Sequence, residues 1–160
     1  MEKLNSIGLN AAKSKALSKD LNELLANFQT YYQNLRGIHW NIKGKSFFDL
    51  HVKFEELYND ANLKVDEIAE RILTLGEVPL HTFEDYRAHS IVPIGKNVRK
   101  DEEAIKLIVN SIKELLIIER KILADSDEAN DEGTNSMMSD FITEQEKTVW
   151  MMKAWLAEEI

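Results

Sequence analysis

Apolar residues recur every three or four positions along most of this chain, the spacing that gathers side chains on one face of an α-helix. Ser18 reads as an N-cap, after which Leu21, Leu24, Leu25, Phe28, Tyr32, Leu35 and Ile38 sustain an amphipathic helix to about residue 42. Gly44 and Ser46 interrupt it. Phe47, Leu50, Phe54, Leu57, Tyr58, Ala61, Val65, Ile68, Ile72 and Leu75 then predict a second long helix, which Gly76 ends and Pro79 cannot continue. Residues 76–97 form the longest connection, with a short helix predicted around Phe83 to His89 and a break at Pro93 and Gly95. A third helix is expected over about 98–124, through Ala104, Ile105, Ile108, Ile112, Leu115, Leu116, Ile118 and Ile122. An acidic run from Asp125 to Glu132 follows, and Thr134 or Asn135 reads as the cap of a fourth helix carrying Met138, Phe141, Ile142, Val149, Trp150, Met152 and Trp155.

Four long helices with short, long and short connections predict an all-α fold. The specific expectation is a ferritin-like four-helix bundle with a short helix in the long connection between the second and third helices. Residues 1–17 read as a short polar N-terminal tail and residues 18–160 as the bundle. At 160 residues and 44% hydrophobic content the chain suits one domain with one core. The absence of cysteine excludes thiolate metal sites and a disulfide framework. The N-terminal sequence lacks the apolar stretch of a signal peptide, and the chain reads as soluble and cytoplasmic.

Charge is unevenly placed. The formal net charge is -8, yet residues 1–45 carry seven Lys or Arg against three acids, and the remainder carries thirteen basic against twenty-five acidic residues. An acidic body with a mildly basic leading end argues against general affinity for nucleic acid or anionic lipid.

The candidate chemistry lies around the first helix break. His39 precedes it and His51 follows it, with Glu55 one turn beyond His51 and the pair Asp66 and Glu70 further along the same helix. Residues four apart point the same way, so each pair can grip one metal ion. Glu55 and Asp66 are nevertheless separated by about 16 Å of helical rise, while metal–ligand bonds are about 2 Å long. A second copy running antiparallel across a two-fold axis brings Asp66 and Glu70 of one subunit opposite His51 and Glu55 of the other. Imidazole plus carboxylate without sulfur suits Fe(II), Zn(II) or Mn(II). Acid pairs four apart are also common on solvated helices, and Glu56, Asp60 and Glu67 are best explained that way. The chain contains no Glu-x-x-His, which argues against the usual di-iron centre inside one bundle.

The run HWNIKGKSFFDLHVKFEELYNDANLKVDEIAERILTLGEVP, residues 39–79, resembles the signature of the Dps family, the DNA-protecting proteins of starved cells, also called mini-ferritins. His-Trp, Gly-x2-Phe, Leu-His and Asp-Glu-x-Ala-Glu-Arg occur in order, and the likeness continues through Leu-Gly-x2-Pro, the Thr-Asn start of the fourth helix and Trp-Met-x-Lys-Ala-x-Leu. The resemblance implies a hollow homo-dodecamer that oxidises Fe(II), preferentially with hydrogen peroxide, stores ferric mineral and protects against oxidative stress. It implies ferroxidase ligands His39, His51 and Glu55 from one subunit and Asp66 and Glu70 from its two-fold mate. Glu55 departs from the aspartate often found there, which moves the carboxylate by about a bond length. Trp40 resembles a family tryptophan beside the site, with packing or the quenching of a one-electron oxidant as its role; Trp150 and Trp155 read as core or interface residues. The acidic run resembles the lining of the family's three-fold iron pores, with Asp127, Asp131 and Glu132 as candidates. Ser136 stands where some relatives have a pore aspartate, and Asp140, one turn on, is its candidate substitute.

An alternative function is DNA binding and compaction of the nucleoid with secondary iron chemistry, resting on Lys3, Lys13, Lys15 and Lys19. Four lysines beside an acidic body predict weak or absent DNA binding, although twelve tails supply avidity. A purely structural bundle would leave the ordered ligand pattern to accident.

Overall fold

The computed structural model describes residues 3–160; Met1 and Glu2, the start of the expected tail, lie outside the described residues. Five helices follow one another: α1 (Ala11–Asn41), α2 (Phe47–Thr74), α3 (Phe83–His89), α4 (Asp101–Glu128) and α5 (Glu132–Trp155). The four long helices form the bundle, and the short α3 lies within the long α2–α4 connection, as the periodicity predicts. No helix among the described residues is long and apolar enough to cross a membrane.

The first boundary differs from expectation. Ser18 lies buried inside α1, and the N-cap is Asn10, whose side chain accepts from the Ala12 and Lys13 amides at 3.0 Å each. The intervening residues Ala11 to Leu17 are strong helix formers, so the helix forms there although few of its side chains are buried. The preceding residues fold back on themselves: Asn5 Oδ1 accepts from the Ile7 and Leu9 amides, and Asn5 Nδ2 donates to Ser14 Oγ at 3.1 Å.

The acidic run is also mostly helical. Asp125 to Glu128 complete α4, Glu132 begins α5, and the connection is only three residues long. Asp131, rather than Thr134 or Asn135, caps α5 by accepting from the Thr134 amide at 3.1 Å. Asn130 takes the left-handed conformation, φ 55°, and the Asn130 and Asp131 amides return to the carbonyls of Asp127 and Ser126. That hydrogen-bond pattern ends α4 without glycine, since asparagine tolerates the left-handed region. Gly76, φ 94°, ends α2 by the same pattern.

The core is built from the predicted faces. Leu21, Leu24, Phe28, Leu35 and Ile38 of α1 meet Phe54, Ala61, Ile68 and Ile72 of α2, Ile105, Ile108, Ile112, Leu115 and Ile122 of α4, and Met138 and Phe141 of α5. Three asparagines on α1 stitch down the long connection. Asn22 pairs with the backbone of Val78 and Leu80, Asn27 accepts from the Ile91 and Val92 amides, and Asn34 pairs with the Pro93 carbonyl and Gly95 amide. Side-chain amides replace the partners that a non-helical backbone against the bundle would otherwise lack.

Candidate metal centre

The break between α1 and α2 turns the chain so tightly that His39 and His51 lie face to face. Their rings stack with centroids 3.8 Å apart and planes 15° from parallel. His39 Nδ1 lies 2.7 Å from the His51 carbonyl oxygen, and His51 Nδ1 lies 2.8 Å from the His39 carbonyl oxygen. A carbonyl only accepts, so each Nδ1 carries the hydrogen, and in the neutral ring the lone pair is then on Nε2. This is the arrangement in which a backbone carbonyl fixes the tautomer and orientation of a metal-binding imidazole.

Neighbouring rings hold the pair. Phe47, one turn before His51, stacks on its ring at 4.9 Å, and Tyr58 presents an edge to His39 at 5.3 Å. His39 is buried and His51 half-buried, whereas Glu55 on the next turn of α2 is exposed.

The second acid pair lies elsewhere. Asp66 and Glu70 are exposed on the far half of α2. Glu70 lines a groove of about 520 Å³ between α2 and α5, together with Asp60, Glu67, Asp140 and Glu144. Among the described residues of one chain, no three His, Asp or Glu side chains converge on a position that could hold a metal ion.

Below this groove lies a polar cluster that the sequence reading did not single out. Lys64 is buried and donates to Asp60 at 2.5 Å and to Glu144 at 2.6 Å, which ties α2 to α5. Burial pulls the Lys64 pKa down, but the hydrogen bonds and charges of Asp60 and Glu144 outweigh it, so the net shift is upward. Glu119 of α4 is fully buried and accepts from the Gln145 amide of α5. Burial raises its pKa to about 7, against the lowering influence of Gln145, Lys64 and Arg120. Tyr31 of α1 is also raised, by burial first and then by Asp60 and Glu119. The signal was present: Glu119 continues the core series Ile108, Ile112, Leu115 at helical spacing, as Lys64 continues Leu57 and Ala61.

The remaining candidates divide. Asp127, Asp131 and Glu132 line a groove of about 150 Å³ at the α4–α5 junction, while Asp140 lines the larger α2–α5 groove instead. Asp127 and Glu132 are exposed. Asp131 is only 2% exposed, because its carboxylate caps α5, accepts from Thr134 Oγ1 and pairs with Arg71 of α2. Trp40 is 58% exposed, with the Arg36 guanidinium 4.8 Å over its ring, so packing in the subunit core is not its role. Trp150 and Trp155 are likewise exposed rather than core residues.

The four-helix bundle with a short helix in its long connection is of the ferritin-like class, and the ferritin-like domain family matches residues 18–159. The chain is 38% identical to the DNA protection during starvation protein of Porphyromonas gingivalis, over 95% of this chain and 96% of that protein. Its fold superposes on a Dps protein from Vibrio cholerae with a TM-score of 0.94 and 48% identity, covering 96% of each chain. The zinc-soaked Dps of Listeria innocua gives a TM-score of 0.85 at 27% identity, over 89% of this chain and 97% of that one. The chain belongs to the Dps family.

Proposed function

We propose that this protein is a ferroxidase and iron-storing mini-ferritin whose oxidation sites lie between subunits. The carrying observation is the reciprocal His39–His51 pairing, which engages both Nδ1 atoms with backbone carbonyls and leaves both Nε2 atoms available to bind metal. Fe(II) is the substrate. His39, His51 and Glu55 bind it from one subunit, and Asp66 and Glu70 of a second copy complete the site across a two-fold axis; the reading is supported by the rise of about 16 Å along α2, which keeps one copy from placing both pairs on one metal. Two Fe(II) ions each give one electron to hydrogen peroxide, and with two protons the products are two Fe(III) and two waters. The side chains supply position and negative charge for the ferric product rather than a covalent step. Homo-dodecamer assembly encloses the mineral, and Asp127 and Glu132 at the α4–α5 junction, with Asp140 in the separate α2–α5 groove, supply negative charge that draws cations inward.

Stopped-flow oxidation of Fe(II) by the apo-shell tests this reading. Peroxide is expected to outpace oxygen at matched concentration; equal rates would contradict the proposed oxidant preference. Histidine-to-alanine variants at positions 39 and 51 are expected to lose most of the rate.

Direct DNA protection is the weaker reading. The expected basic tail is not free along its length: Lys13 lies in α1 and donates to the Glu128 carbonyl at 2.6 Å. With a chain charge of -8, DNA binding is expected to be weak or absent at physiological salt, where phosphate contacts are screened.

A further inference from the structure

The His39 carbonyl lies in the last turn of α1, where the helix leaves its final carbonyls without intrahelical partners. In a continuing helix it would accept from the Lys43 amide, four residues on. That amide instead donates to the Arg99 carbonyl at 2.9 Å, just before α4. The His39 oxygen is thereby left for His51 Nδ1.

The same end of α4 touches the turn a second time. Ser46, the N-cap of α2, makes no side-chain capping bond. Its amide points at Asp101 Oδ2, 3.4 Å away, so the first residue of α4 supplies an acceptor and a negative charge at the start of α2. The other oxygen, Asp101 Oδ1, is buried without a hydrogen-bond donor. It lies against Gly44, where a Cβ would stand 2.6 Å from Oδ1 and 2.9 Å from Oδ2. Gly44 is not among the positive-φ glycines, so glycine is needed here for the approach of the carboxylate and not for backbone conformation.

We infer that Asp101 is a positioning residue for the iron site: seated on Gly44 and aimed at Ser46, it fixes the α1–α2 turn in the form that lets His39 and His51 lock each other's rings. This rests on the proposed metal-binding role of those histidines. It adds a residue from α4, a helix that contributes no ligand, and gives a physical reason for glycine at position 44.

Co(II), which binds without being oxidised under these conditions, serves as the probe for titration of full-length apo-shells, read by its visible spectrum. Wild type is expected to bind, and His51→Ala to lose the spectrum; retention there would overturn the metal-site reading and this inference with it. If His51→Ala loses the spectrum, Asp101 is tested on its own. Asp101→Ala and Gly44→Ala are each expected to weaken Co(II) binding about 10-fold, the low end of the cost of removing a group bonded directly to a ligand, because Asp101 acts one step further out. The two changes should not add, because Gly44→Ala harms only by colliding with the Asp101 carboxylate. Asp101→Asn keeps an oxygen for the Ser46 amide and should recover most of the affinity, which guards against a failure of Asp101→Ala to assemble. Wild-type affinity in Asp101→Ala, or the same loss from Gly44→Ala in both backgrounds, would overturn the role assigned to Asp101.

Discussion

The two ends of α2 treat the side chains proposed to bind iron in opposite ways. At the N-terminal end, His51 is gripped by the His39 carbonyl on one side and the Phe47 ring on another. At the C-terminal end, Asp66 and Glu70 stand exposed, while the inward-facing Lys64 and the neighbouring Arg71 do the holding, to Glu144 and to Asp131 and Thr134 of the α5 start. One subunit therefore orients its imidazoles in advance and leaves its acids free to be oriented by something else. Orientation before binding lowers the entropy that a metal must otherwise overcome.

The strongest way to break this comparison is to separate the two ends genetically. His51→Ala and Asp66→Ala shells are each expected to lose nearly all ferroxidase activity. If the ends serve different sites across a two-fold axis, reassembly of an equal mixture should restore about a quarter of the sites by random pairing. Mixed shells as inactive as either parent, with assembly verified by sedimentation, would show that both ends serve one subunit.

A smaller effect sharpens what supports the acid end. Glu119 lies within electrostatic reach of the buried Lys64 on that half of α2, with a pKa raised to about 7 in the folded chain by burial. A carboxyl raised in this way stabilises the fold fully below its ordinary value near 4.5, and that contribution is lost as pH rises through about 7. The loss is on the order of 3 kcal/mol. Glu119→Gln stays neutral and should therefore gain stability over wild type between about pH 5 and about pH 8, measured by denaturant unfolding at each pH. A difference independent of pH would remove Glu119 titration from the account.

The smallest effect concerns the contrast between tethered and free lysines. Lys13 is tied to Glu128, whereas Lys3, Lys15 and Lys19 are exposed. Replacing those three by alanine should change gel-shift affinity for DNA little at about 0.15 M salt and measurably only at low salt. Tight binding at the higher salt that vanished in the variant would favour DNA protection by direct contact.

Local signals made much of this readable from sequence. The faces of the long helices follow from spacing, and Gly76 and the Asp125–Glu132 run locate the helix ends to within a few residues. Errors arose where two local signals competed. Ser18 sat before the first strong apolar series, yet Asn10 had the geometry to cap, and good helix formers bridged the gap. Thr134 and Asn135 resembled caps, but Asp131 was better placed and gained Arg71 as a partner from α2, sixty residues earlier. For the same reason its carboxylate is buried, although Asp131 still lines the α4–α5 groove beside Asp127 and Glu132.

The sequence by itself determined that the chain forms four long helices, that two histidines flank one break, and that the two acid-containing pairs on α2 are too far apart to share a metal within one subunit. Those conclusions need only backbone geometry and the repeat of the helix. Only the tertiary structure decided that each imidazole bonds the other's backbone, that Arg99 and Asp101 secure the turn, and that Glu119 titrates in the core. Hydrogen-bond partners and burial depend on groups brought together from distant parts of the chain, and no local repeat encodes which of them will meet.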